Sequence, residues 1–166
     1  MIDLAIIDVS YILECMEQKT LSLETSLSFQ LLKTAHATQL HHQRALGGAA
    51  LTLSQFWVLK LVCDGEAIRP SDAARRLGVH PGDVTRLVRG LSAKGLLTRS
   101  RRGDDQRALH LTPTPKGAQV AAELGTLIAE ADAALATAIG TDPLEGLIGL
   151  LNAVHARAGA RDNAGA

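Results

Sequence analysis

"PSDAARRLGVHPGDVTRLVRGLSAKG", residues 70–95, reads as a short helix, a tight turn and a longer helix, each marked by its own stop and start signals. Ser71 stands where an N-cap is expected for the brief helix DAARRLG, and Gly78 closes it. Val79-His80 leads to Pro81 at a first helical position, and the second helix runs to Lys94 before Gly95 stops it. At about 100° per residue, Val84, Leu87, Val88 and Leu91 share one arc of that second helix. Gly82, Arg86, Arg89 and Ala93 lie roughly opposite, with Thr85 at the edge. A solvated face on a lone helix could carry the same residues. The short capped helix and the GVHPG turn in front of it make the pair a helix-turn-helix. Small residues let such a helix approach DNA closely, and an arginine can bind guanine O6 and N7 with two hydrogen bonds in the major groove. Ser71 and Arg75 on the first helix join Gly82, Thr85, Arg86 and Arg89 as candidate DNA contacts.

Downstream, two strand-like runs, Leu96–Arg101 and Arg107–Thr112, flank a Gly-Asp-Asp turn. Arg99, Arg101, Arg102 and Arg107 crowd this hairpin, which therefore reads as a wing facing phosphates or a narrow, strongly negative minor groove. Asp105 is expected to form the turn and to accept a hydrogen bond from Arg107, aiming it. Pro113 and Pro115 end the second strand. A helix then runs from Thr114-Pro115 to about Ala138, another covers about Pro143–Arg157, and the small-residue tail is expected to be disordered. Upstream, residues 26–45 form a long helix with Phe29, Leu32, His36 and Leu40 on one face, ended by Gly47-Gly48. Thr52-Leu-Ser-Gln55 is a capping box opening a helix to about Val62. The chain is thus mainly α with one small wing hairpin. Helices of residues 1–50 and 118–158 are expected to dimerise, 51–117 to be a winged helix-turn-helix lobe, and 159–166 a disordered tail.

Charge agrees with that division. The 166 residues hold 17 basic and 17 acidic side chains, yet residues 51–118 carry an excess of six positive charges while both flanks are acidic. A basic middle between acidic flanks fits a polyanion-binding module held by segments with another task. Aromatics are limited to Tyr11, Phe29, Phe56 and Trp57, too few for the base-stacking platforms of single-strand binders. The first residues lack a basic n-region and no apolar run reaches about 18 residues, so neither a signal peptide nor a membrane span is expected. A cytoplasmic protein is the expectation.

The run from Leu51 to Gly117 closely resembles the MarR family of bacterial transcriptional regulators. Three pieces carry the likeness: PSDAARRLGV, VTRLVRGLSAKGLL, and the DDQR turn followed by TPKG. Together they are specific, whereas each alone would be weak. The resemblance implies a homodimer with interleaved terminal helices, two winged lobes straddling a pseudo-palindromic double-stranded operator, and repression relieved by a small ligand. It also implies that Asp105 and Arg107 form the family's wing Asp-x-Arg pair, and that Thr85, Arg86 and Arg89 occupy recognition-helix positions. His80 in place of a Ser or Asp cap, and Pro113 in place of an apolar strand residue, depart from the family pattern.

Such regulators commonly bind small phenolic or aromatic acids. His36, His42, Arg44, Trp57 and Arg69 are the side chains here that could line a cavity for one, supplying cation, hydrogen bond and aromatic wall. The other switch in this family is thiol oxidation, which would use Cys15 or Cys63. Both sit among acids (Glu14 and Glu17; Asp64 and Glu66) that oppose a reactive thiolate. His36, His41 and His42 are poorly spaced for a metal, and no cofactor is expected. HExxH, GxSxG, GxGxxG and Walker patterns are absent from the sequence, so no enzyme is expected.

Overall fold

The computed structural model describes residues 22–101 and 109–159, and they fall into two units that divide between His41 and His42. Helix α1, Leu27–Ala45, crosses that division. In the first unit the chain turns through residues 22–25 before α1, and the side-chain Nε2 of Gln30 donates back to the carbonyls of Leu23 and Glu24. The apolar stripe read from the sequence is present, but Phe29, Leu32 and Leu40 on it are exposed in the single chain.

The second unit begins with the end of α1 and continues through α2, Leu53–Cys63. Thr52 Oγ1 accepts from the Gln55 amide at 3.2 Å while Gln55 Oε1 accepts from the Thr52 amide at 3.2 Å, so the expected capping box is formed. Helix α3 is Pro70–Leu77 and α4 is Pro81–Ala93. Strands β1, Leu97–Arg101, and β2, Leu109–Pro113, pair antiparallel with Leu97 opposite Pro113 and Arg99 opposite Leu111. Helices α5, Pro115–Ile139, and α6, Thr141–Gly159, complete the unit. Its core joins Phe56, Val58, Leu59 and Val62 of α2 to Ala73 and Ala74 of α3 and to Val84, Val88 and Leu91 of α4. Leu97 and Leu111 of the hairpin and Ala121, Leu124 and Ile128 of α5 close it. This is the winged helix-turn-helix arrangement that the sequence predicts.

Local chemistry shifts several boundaries. Ser71 does not cap α3. The helix starts two residues earlier than expected, at Pro70, and the carboxylate of Asp72 accepts the Arg69 amide at 2.9 Å. A proline at the first position needs no N–H there, so the helix can begin before the serine. The first strand starts at Leu97 rather than Leu96, because the Leu96 backbone is engaged elsewhere. Its N–H donates to Leu91 O at 3.0 Å and its carbonyl accepts from the Thr114 amide at 3.1 Å. The second strand includes Pro113, which needs no ladder N–H at a strand end. The start of that strand at Arg107 lies outside the described residues. The last helix extends from Thr141 to Gly159, so the first residue of the expected tail is helical, and residues 160–166 lie outside the described part.

Two joints hold the hairpin. Leu111 N donates to Ile68 O at 2.8 Å, tying β2 to the segment that leads into α3. Thr114 Oγ1 donates to Gly95 O at 2.8 Å and accepts from the Gly117 amide at 2.9 Å, so it caps α5 and grips the turn after α4 together. Gly117 lies so close to Leu96 that a Cβ there would stand 2.0 Å from the Leu96 carbonyl oxygen.

Candidate nucleic-acid interface

Helix α4 is organised from its first turn. His80 takes an extended conformation as N-cap, and its Nδ1 accepts from the Gly82 amide at 3.1 Å, the task a serine or aspartate more often performs. Asp83 adds negative charge where the helix dipole favours it. Val84, Val88 and Leu91 are then fully buried, and Leu87 is half-buried. Gly82, Thr85, Arg86, Arg89 and Ala93 are all exposed. The core stripe and the polar face therefore separate as the periodicity predicts.

The exposed face is not uniformly free. Arg86 pairs with Asp83 one turn earlier. Thr85 Oγ1 donates to Pro81 O at 3.0 Å, which leaves its lone pairs for an outside donor. Arg89 has no ion-pair partner among the described residues. On α3, Ser71 is exposed, and Arg75 is exposed and pairs with Asp72 at 3.0 Å, while Arg76 pairs with Glu66. Exposed pairs of this kind hold the free side chains at a cost of only about 0–1 kcal/mol to exchange for another anion. The sequence pattern missed Asp83 and Asp72 as partners, although their i,i+3 spacing to Arg86 and Arg75 is legible in it.

On the hairpin, Arg99 is exposed opposite Leu111 and shares the face on which that leucine enters the core. Arg101 ends β1 opposite Leu109. Arg102, Asp105 and Arg107 lie outside the described residues, and so does the proposed aspartate–arginine pair.

The five expected ligand residues divide between the units, one in the first and four in the second. His36 belongs to the first unit and is exposed. In the second, His42 is 4% exposed and its Nε2 lies 2.6 Å from Asp132 Oδ1. Arg44 and Arg69 are exposed, and Trp57 is half out of the core with its ring edge-on to Phe56, centroids 5.0 Å apart. A cleft of about 410 Å³ between the α1–α2 loop, the end of α4 and the start of α5 is lined by none of them. Cys63 is half-buried, and burial, then the charge of Asp64, push its thiol pKa up. Cys15 lies outside the described residues. Among those residues no group of three or more His, Cys, Asp or Glu is placed to hold a metal, and no single helix is long and apolar enough to cross a membrane.

Comparison with known proteins meets the same lobe. Residues 51–108 match the MarR family. The lobe that those residues build is a MarR-family lobe. The chain is similar to the HTH-type transcriptional regulator TtmR of Methylorubrum extorquens (strain PA1), 30% identical over 96 residues. That match covers 58% of this chain and 49% of TtmR, so it spans about half the relative's length. Solved MarR-type folds agree over more of the chain. The repressor CouR bound to a 23-mer DNA duplex superposes with a TM-score of 0.73 at 24% identity, covering 82% of this chain and 99% of that one. CouR from Rhodococcus jostii RHA1 bound to p-coumaroyl-CoA gives 0.70 at 19% identity, covering 82% and 96%.

Proposed function

We propose that this MarR-family chain is a sequence-specific, double-stranded-DNA-binding transcriptional repressor that works as a homodimer in the cytoplasm and is released from a pseudo-palindromic operator by a small aromatic acid. One observation carries the DNA reading: α4 buries Val84, Val88 and Leu91 while turning Thr85, Arg86 and Arg89 outward beside a hairpin bearing Arg99. Base contacts come from the α4 arginines, with Ser71, Arg75 and Gly82 positioned at the backbone. Arg101, Arg102 and Arg107 of the wing meet phosphate and minor-groove charge. The homodimer is supported by apolar side chains that the single chain leaves uncovered: Leu27, Leu32 and Leu40 on α1, and Leu147, Ile148, Leu150 and Leu151 on α6. An aromatic effector is supported by likeness in fold to CouR, whose solved complex holds p-coumaroyl-CoA, the thioester of an aromatic acid. Cys63, with its raised thiol pKa, weighs against the thiol-oxidation alternative.

The test is DNA affinity by fluorescence anisotropy at two or more salt concentrations, using duplexes selected from a random pool. Arg86→Ala or Arg89→Ala is expected to cost about 1–3 kcal/mol and to relax preference at one position per half-site. A chain that selects no duplex, or whose affinity does not fall with salt, refutes the assignment.

A further inference from the structure

We infer, resting on the DNA assignment above, that Gln55 of α2 is a positioning residue for recognition: seated on Gly90 of α4, it sets how α4 presents Arg86 and Arg89 to the bases. Gly90 is half-buried, one turn after Arg86 and next to Arg89. Glycine is among the poorest helix formers, so its place inside the reading helix has to come from packing. The packing is visible: a Cβ on Gly90 would stand 2.7 Å from Gln55 Nε2. The end of a flexible side chain ordinarily swings away from such a contact. This one is tethered. Gln55 Oε1 accepts from the Thr52 amide at 3.2 Å, as half of the α2 capping box, and from Lys94 Nζ at 3.1 Å. With the oxygen held by two donors, the planar amide carries its nitrogen to the Gly90 backbone.

The contact is closed from the α4 side as well. Lys94 is the C-cap residue of α4, and its own amide donates to Gly90 O at 3.2 Å. Four residues apart, Gly90 and Lys94 offer one edge of the helix to α2. Lys94 Nζ also donates to Ala50 O, so one ammonium joins the end of α4 to the segment that enters α2. Val84, Val88 and Leu91 hold α4 to the core, but apolar burial has no direction of its own. The bonds through Gln55 do, and they lie one turn from the arginines. A methyl group on Gly90 therefore pushes Gln55 off its capping bond or α4 away from α2. A two-bond arginine–guanine contact weakens steeply with such a displacement, whereas attraction to phosphate falls off slowly with distance.

Fluorescence anisotropy on the full chain tests this, with one duplex selected from a random pool and one unselected duplex of the same length. Gly90→Ala and Gln55→Ala should each weaken the selected duplex about tenfold and leave the unselected duplex within about twofold, with its salt slope unchanged. A variant that is merely less folded loses both duplexes in equal proportion, and its melting temperature shows it. Gln55→Ala adds no atom to the lobe, so it carries the test should Gly90→Ala not fold. In the double variant the new methyl enters the space that Gln55 vacates. Its loss should therefore stay near that of one single variant, short of the roughly hundredfold that independent sites would give. Unchanged selectivity in both single variants, a parallel loss on both duplexes, or a fully additive double variant overturns the positioning role and leaves the DNA assignment intact. A wild-type chain that prefers no duplex overturns both.

Discussion

Two glycines of α5, eight residues apart, should respond oppositely to the same methyl group. Gly117 is helical, so alanine there carries no backbone strain, but its Cβ would sit 2.0 Å from Leu96 O and 2.9 Å from the Leu96 carbonyl carbon. That carbonyl cannot swing aside cheaply. It accepts the Thr114 amide at 3.1 Å, and Leu96 is itself buried between α4 and β1. Overpacking costs typically about 1–3 kcal/mol, and a clash with fixed backbone belongs at or above the upper end, so Gly117→Ala should cost about 3 kcal/mol or more. For a chain of this size that is a fall in Tm of roughly 6–12 °C. At Gly125 an added methyl would meet nothing within 4 Å, and alanine there gains helix propensity of about 0.5–1 kcal/mol. Urea melts of both variants at one fixed protein concentration give the comparison, since any dimer makes stability concentration-dependent. A Gly117→Ala protein within about 1 kcal/mol of wild type, or one no less stable than Gly125→Ala, would show that α5 is not seated on Leu96 as described.

Other expectations concern the wing and the thiol. Arg107→Ala should weaken binding to all duplexes evenly and lower the salt slope by roughly one unit, and Asp105→Ala should partly reproduce it if the carboxylate aims the arginine. Tighter binding by Asp105→Ala at two salt concentrations would refute that orienting role. Cys63 has a raised thiol pKa because burial and Asp64 both disfavour the thiolate. In Cys15→Ser protein, iodoacetamide labelling should therefore rise only at a pH above that at which free cysteine reacts. Rapid labelling near neutrality would reopen thiol sensing.

The helix-turn-helix was legible because its signals are local and agree with one another. Pro81 and Gly95 bracket α4, and the valine and leucine spacing names the buried side that the fold then shows. Thr52 and Gln55 gave the α2 start for the same reason. Ser71 misled because a serine two residues into a proline-led helix looks like a cap, whereas Asp72 reaches back to do that work. The ligand residues were harder. His36, His42, Arg44, Trp57 and Arg69 were grouped by chemistry along the chain, and only tertiary packing reveals that His42 faces Asp132.

The hydrogen bond from Leu111 to Ile68 has a mechanical meaning for any duplex this lobe grips. It fastens the base of the hairpin to the segment before α3, while Leu97 and Thr114 fasten it to the end of α4. Wing and reading helix are thus two jaws of one calliper with a fixed gap. On the proposed function, a gap held by these contacts would pass a mismatch in groove width on to the duplex, which would have to twist or bend to fit. Discrimination between operators would then extend to base steps no side chain touches, with stiff sequences disfavoured and pliable ones favoured.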